Sequence, residues 1–271
     1  MHPPDHRGYI RRVAETVMTS NSPVLFFSDA HLGAHSPASE AVKVERFVGF
    51  MRHATHLNAE IFFLGDLFDF WFEYRHWIPK VPIRILSAIH EFTSRGGVFH
   101  MLLGNHDIWA ADYFTSELGV QVNREDLSVT RQGLRILISH GDGKARSDKG
   151  YRFLKRILRF GPNISLYRLL PADWAFSLAG FFSRRSRHLT ASRPPKFLPE
   201  YDNFAVASIR SGYDAVIMGH IHQGWVRRLE NGWWVNSGEF FERFSYVILQ
   251  DAEFRLASWD AGPDGPTPPS E

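Results

Sequence analysis

Ile61-Phe62-Phe63-Leu64-Gly65-Asp66-Leu67-Phe68-Asp69 begins as a four-residue apolar run and stops at a glycine followed by two carboxylates. A run this short, closed by a turn former, reads as a β-strand buried on both faces. Outward from it, the same pattern recurs. Val24-Leu25-Phe26-Phe27 leads into Asp29-Ala30-His31, and the apolar pairs around His100 lead into Gly104-Asn105-His106-Asp107. Ile136-Leu137-Ile138 precedes His140-Gly141-Asp142, and Val216-Ile217-Met218 precedes Gly219-His220-Ile221-His222. Strand ends in an open α/β sheet share one rim, where such folds place their sites. A lone Asp-x-His is usually a satisfied core or turn residue. Five polar clusters behind five buried strands have no such ordinary explanation.

Asp29, His31, Asp66, Asn105, His106, His140, His220 and His222 together offer the oxygen and nitrogen donors that two adjacent divalent metals need, with Asp66 the natural bridge. Mixed imidazole, carboxylate and amide donors suit Mn, Fe, Zn or Co better than Ca or Mg, which prefer oxygen alone. Two such metals, about 3.5–4 Å apart, activate a shared water and clamp a phosphoryl centre for in-line attack. The residues read as a two-metal phosphoester hydrolase, and a catalytically dead scaffold is disfavoured because no ligand is missing.

The 271 residues, 44% of them hydrophobic, can bury one substantial core. Between the strands, residues 40–57 and 81–95 carry apolar side chains at helical spacing, with Pro82 in the first turn of the second helix and Gly96-Gly97 as its stop. After His222 the pattern predicts an antiparallel meander, with Asn231-Gly232 as a hairpin turn. Residues 1–22 read as an N-terminal extension, 23–258 as the catalytic domain and 259–271, rich in Pro and Gly, as a disordered tail. The absence of cysteine fits a reducing compartment. No secretory pattern or apolar run long enough to span a bilayer is seen, so a cytoplasmic protein is expected.

Residues 144–200 read as a helical insertion. From Lys144 to Lys196 it carries thirteen basic against two acidic side chains, a net of +11 that leaves the rest of the chain at −9 of an overall +2. The same stretch holds an apolar helical face at Phe153, Leu154, Ile157 and Leu158, then further Leu, Trp and Phe residues. Basic amphipathic segments of this kind lie on membrane surfaces or rim hydrophobic grooves. They also arise when apolar faces pack on a core and the arginines are merely solvated. So many aliphatic residues favour lipid over nucleic acid, and no nucleic-acid partner is expected.

In this order, Asp29-x-His31, Gly65-Asp66-x-x-Asp69, Gly104-Asn105-His106-Asp107 and Gly219-His220-x-His222 resemble the calcineurin-like metallophosphoesterase family over about residues 24–258. The resemblance implies an α/β fold, two mixed β-sheets in a sandwich flanked by helices. It implies Asp29, His31, Asp66 and His222 on one metal, and Asp66, Asn105, His140 and His220 on the other. His106 is then beside the metals, stabilising the phosphate or protonating the leaving group. Asp69 and Asp107 are expected to orient histidines, and Asp142 is open between a site role and a turn. Asn236-Ser-Gly238 reads as a turn without chemistry, and His35 is the one further histidine near the motifs.

Gly65-Asp66-Leu67-Phe68-Asp69-x-Trp71, with Asp148 and Tyr151 after His140-Gly141-Asp142, is similar to the branch that hydrolyses UDP-2,3-diacylglucosamine in lipid A synthesis. That likeness implies a UDP-linked glycolipid substrate, with UMP and 2,3-diacylglucosamine 1-phosphate as products. It also implies two divalent metals, Mn first with Fe or Zn as alternatives, Asn105, His106, Asp148 and Tyr151 as substrate contacts, and work at the inner membrane surface. One residue departs from the branch, which carries Arg where this chain has His106. An imidazole lacks the bidentate fork of a guanidinium but can donate a proton near neutral pH. The alternative is a broad-specificity phosphodiesterase or nuclease using the same metals.

Overall fold

The computed structural model describes residues 22–145, 147, 149–177, 180 and 198–259. Most of the expected extension (residues 1–22) and tail (residues 259–271) lies outside them, as do Asp148 and the arginines at 184, 185 and 187.

The apolar runs form parallel strands because each is covered on both faces, which leaves no solvent side to alternate toward. β1 (Val24–Phe27), β2 (Glu60–Phe63) and β3 (Phe99–Leu102) are fully buried. They lie side by side, joined by α1 (Pro37–His56) and α2 (Ile83–Ser94), so the chain opens as two successive βαβ units. β4 (Gln121–Asn123) extends this sheet on one side, while β10 (Ser245–Gln250) and β11 (Glu253–Ser258) run antiparallel on the other. The second sheet has the order β5-β6-β7-β9-β8, from β5 (Leu127–Arg131), β6 (Leu134–Ser139), β7 (Ala215–Met218), β8 (Gly224–Leu229) and β9 (Gly232–Ser237). Its three central strands are parallel and its two edges antiparallel. Both sheets are therefore mixed, as expected.

Alternation along β1 sorts the core into layers. Leu25 and Phe27 face α1 and α2 with Phe47, Phe50 and Phe63, whereas Val24 and Phe26 face the second sheet with Phe62, Ile138 and Ile217. The outer face of the second sheet packs Val216, Met218 and Trp234 on α6 (Leu198–Arg210). The result is helices, sheet, sheet, helix. Among the described residues no helix is long and apolar enough to cross a membrane.

Three sequence expectations need correction. The residues after His222 do not form one meander: β8 and β9 complete the second sheet, and β10 and β11 cross to the first. Each hairpin needs only its own turn, but the choice of sheet depends on long-range pairing with β7 and β1. The first hairpin turns at Glu230-Asn231, with Leu229 paired to Gly232. Gly232 is instead in the strand, where a Cβ would come within 3.0 Å of Ile209 and the Asp214 carbonyl. Pro82 stands just outside α2 as its N-cap. β4 and β5 carry no long apolar run because both are sheet edges, half solvated.

At the sheet end opposite the metal motifs, Glu60 ties the two sheets. Its buried carboxylate accepts Nε and Nη2 of Arg131 on β5 at 2.5 and 2.7 Å and lies 2.8 Å from His100 Nε2 on β3. Burial alone raises the Glu60 pKa, but the Arg131 and His100 partners outweigh it and hold it below its ordinary value. A carboxylate lowered in the folded state contributes stability above its unfolded pKa and loses it as pH falls through the folded one. Stability is therefore expected to fall on acidification below about pH 4.5, the unfolded value. Glu60→Gln should flatten that fall and cost about 2 kcal/mol at neutral pH, less than a fully buried pair because Arg131 is one-third exposed. Urea unfolding across pH measures both, and an unchanged acid slope in the variant would remove this role.

Candidate metal centre

All five motif loops leave the carboxyl ends of parallel strands: β1, β2 and β3 in one sheet, β6 and β7 in the other. Because the sheets face each other, the loops meet at one end of the sandwich. The backbone there is unusual. Asp29, His31, Asp66, His220 and His222 all have positive φ, between 41° and 66°. Non-glycine residues adopt that region at a cost and keep it where surrounding structure demands it. Here it aims side chains off the strand ends toward a common point. Gly104 is required for the same approach, since a Cβ there would fall on Asp66 Oδ1.

Two groups of donors face each other. Asp29, His31 and His222 form one, and Asp66, His140 and His220 the other, each with its ligand atoms within 4.8 Å. Asp66 lies between them. Its Oδ1 accepts the His106 backbone N–H at 2.9 Å, leaving Oδ2 3.5 Å from His140 Nε2 and 3.9 Å from His31 Nε2. Asn105 Oδ1 approaches His140 Nε2 at 3.2 Å. His140 Nδ1 donates to the Leu64 carbonyl at 2.6 Å, which leaves the lone pair of Nε2 pointing inward, the orientation that metal-binding histidines adopt.

The residues present fit a pair of cations. His31 Nε2 and His222 Nε2 are only 3.3 Å apart and both look toward Asp29 Oδ1, a buried oxygen that accepts no hydrogen bond. Lone pairs converging in this way suit a shared positive charge. Burial alone raises Asp29 and Asp66, but the facing histidines hold both well below the carboxylate range. Burial pushes His220 down to about 4, leaving it a neutral donor.

Several residues that sequence reasoning passed over build this geometry. Ser28 donates its hydroxyl to Asp29 Oδ2, which also accepts the His220 N–H at 2.9 Å, so Asp29 is turned with only Oδ1 facing inward. Asn236 donates to the Gly219 carbonyl at 2.8 Å and accepts from Gly238 N, holding the turn that carries the paired histidines. Lys43 is almost wholly buried on α1, and its Nζ donates to the His31 carbonyl at 2.6 Å. The signal for Asn236 was in its Asn-x-Gly pattern; Ser28 and Lys43 gave none, since each acts across 12 residues or more, or through a single rotamer.

The expected helpers divide. His106 Nδ1 donates to the Asp69 backbone carbonyl at 2.6 Å, with the Asp69 carboxylate 3.7 Å away, so Nε2 faces the centre, 4.0 Å from Asp66 Oδ2. Asp69 thus orients a histidine, mainly through its backbone. Asp107 does not. Its carboxylate accepts the N–H groups of Leu67 and Gly104, stapling two motif loops together, and burial beside Asp66 pushes its pKa up to about 7. Asp142 is buried and pairs with Lys155 of α4 (Lys149–Arg159) at 2.6 Å. His35 stacks on Phe241, whose ring also meets His31 and His222 edge-on. Tyr151 lies on α4, its side chain outside the described residues like Asp148.

The insertion docks beside this centre on aromatic side chains. Trp109, three residues past His106, donates its indole N–H to the Leu158 carbonyl at 2.8 Å, and Tyr167 of α5 (Gly161–Tyr167) packs on Trp109 and Phe72. Among its described residues seven other apolar side chains are uncovered: Phe153, Leu154, Ile157, Phe160, Leu166, Leu169 and Trp174 are all more than one-third exposed. The expectation that this face simply packs on the core does not hold for these residues.

Residues 22–224 match the profile of the calcineurin-like phosphoesterases, and the chain belongs to that family. It is a metal-dependent phosphoester hydrolase, a family for which divalent metal ions are implied. Three curated relatives bear the name UDP-2,3-diacylglucosamine hydrolase. One from Porphyromonas gingivalis is 35% identical over 61% of this chain and 64% of its own length, so less than two-thirds of that relative is spanned. One from Neisseria meningitidis serogroup B is 24% identical over 85% of this chain and 95% of the relative. One from Photorhabdus laumondii is 29% identical over 76% and 84%.

Proposed function

We propose that the protein hydrolyses the diphosphate of a UDP-linked diacylglucosamine at a membrane surface, releasing UMP and the lipid sugar 1-phosphate, with Mn preferred over Fe or Zn. The observation that carries the lipid part is the row of exposed Phe, Leu, Ile and Trp side chains on the insertion, docked beside the His106 loop. Large uncovered apolar surface marks a binding site for apolar matter, and a wholly water-soluble substrate would leave it uncovered. The names of the relatives supply the matching head group.

In this reading Asp29, His31, Asp66 and His222 hold one metal, and Asp66, Asn105, His140 and His220 the other. Bound there, two divalent cations lower the pKa of water and neutralise charge on the phosphoryl oxygens. Asp66, between the two groups, keeps them in register, and the Leu64 carbonyl fixes the His140 tautomer. Water oxygen bonds to the α-phosphorus, and the bond from that phosphorus to the bridging oxygen breaks. The bridging oxygen leaves with the sugar phosphate. Because His106 commits Nδ1–H to Asp69, Nε2 is the atom that faces the centre, and it is the one placed to pass a proton to that oxygen. Asp148 and Tyr151 are assigned to the head group.

Release of UMP from UDP-2,3-diacylglucosamine in detergent with Mn, measured beside a generic aryl phosphodiester, tests the substrate. Fast lipid turnover with poor aryl turnover is expected, together with salt-sensitive sedimentation on anionic vesicles. The reverse preference would leave a phosphoesterase and discard the lipid; unchanged sedimentation would discard the membrane surface.

A further inference from the structure

Five motif loops build the metal centre, and a further loop reaches it, the one that joins β9 to β10. Its backbone is tightly fixed. Phe240 donates its N–H to the Asp29 carbonyl at 3.1 Å and packs its ring on Phe27, Phe47 and Phe50. The buried Glu239 carboxylate accepts the N–H groups of Phe241, Glu242 and Arg243 at 2.7, 2.9 and 2.8 Å. Between these anchors stands Phe241. Its ring centroid lies 5.9 Å from that of His31 and 5.5 Å from that of His222, edge-on to both. His35 stacks on the same ring at 5.5 Å, and its own backbone N–H donates to Glu40 at 3.0 Å.

The two donor groups are steadied in different ways. His140 is oriented by the hydrogen bond from its Nδ1 to the Leu64 carbonyl. Among the described residues, the buried Nδ1 of His31 makes no hydrogen bond, and His222 is engaged through Nε2 alone. A ligating imidazole ordinarily has its second nitrogen tied, and that tie sets the ring's orientation. What the rings of His31 and His222 share instead is Phe241. We infer that Phe241 is a positioning residue for the cation held by Asp29, His31 and His222; the inference rests on the two-metal reading above. Its ring does by contact what the Leu64 carbonyl does for His140 by hydrogen bonding. The terminal torsion of a histidine is broad, and an edge-on aromatic neighbour narrows it. Both Nε2 atoms therefore stay aimed at Asp29 Oδ1 before an ion arrives. Without that contact the rings would lose their freedom only on binding, at a cost in affinity. His222 depends on it most, since its side chain is 36% exposed and that of His140 only 2%.

Titration of Mn into the metal-free protein, with free Mn read from its electron paramagnetic resonance signal, tests the assignment without turnover. The wild type should take up two ions. Phe241→Leu should hold one of them as the wild type does and the other at least about tenfold more weakly, the scale on which a ligand's outer partner acts. Phe241→Tyr keeps the ring and should hold both normally. Combining Phe241→Leu with His222→Ala should still leave one ion held normally, which puts both defects on the same cation. Phe241→Leu holding both ions normally, or both weakened equally, overturns the inference and leaves the two-metal reading intact. So does a Phe241→Tyr variant as defective as Phe241→Leu, or loss of the remaining ion in the double variant. A wild type that takes up fewer than two ions overturns the two-metal reading itself, and the role of Phe241 with it.

Discussion

Asp66→Ala is expected to bind neither metal tightly and to lose at least about 10³-fold in turnover, the largest effect of any single substitution. The reason is its position: one carboxylate, buried, with Oδ2 within 4 Å of His31, His106 and His140 from three different loops. Removing it takes away the group shared by both donor clusters and leaves the histidines to repel one another as they protonate. The two-metal contribution is worth several kcal/mol, and each 1.36 kcal/mol is tenfold in rate. Metal content by elemental analysis and turnover of an aryl phosphodiester measure the two halves separately. A variant that kept two metals at a normal rate would sink the assignment.

His106→Ala should keep both metals and lose roughly 10²–10⁴-fold in rate, the usual range for a positioned proton donor. Its Nδ1 is spent on the Asp69 carbonyl, which leaves a single reactive nitrogen. The geometry also contains the competing answer. His31, Asp69 and His106 form a third group of possible ligands within 4.8 Å of one another. Loss of metal from His106→Ala would therefore make it a ligand. Retained metal with a steep fall in rate, greatest for substrates with poor leaving groups, would make it the proton donor.

The contrast between these two residues shows what was legible in the chain. Asp66 and His106 announce themselves because each follows an apolar run at a glycine turn, and buried strands need no context beyond their own length to be recognised. The same holds for α1 and α2, whose apolar spacing is local. Ser28 and Lys43 do not announce themselves, and Asn236 announces only a turn, although Asp29, His31 and the Gly219 turn depend on them. A serine, a lysine and an asparagine are ordinary surface residues until the fold brings them against a particular oxygen. Asp107 misled for the same reason: as a carboxylate beside a histidine it reads as that residue's partner, yet its oxygens are taken by the backbone of Leu67 in another loop and of Gly104 in its own.

The amino-acid sequence alone determined the strand–loop pattern, the set of donors and the class of chemistry, because apolar runs and donor types are properties of neighbouring residues. Only the tertiary structure decided which sheet each late hairpin joined, which face of the insertion stayed bare, and where the basic residues converged. Sheet membership and ion pairing depend on residues far apart in the chain, and no local pattern encodes which distant partner will be met. Arg124 and Arg159 are 35 positions apart and unremarkable singly; only the packing of α4 against the loop after β4 makes one cleft of them.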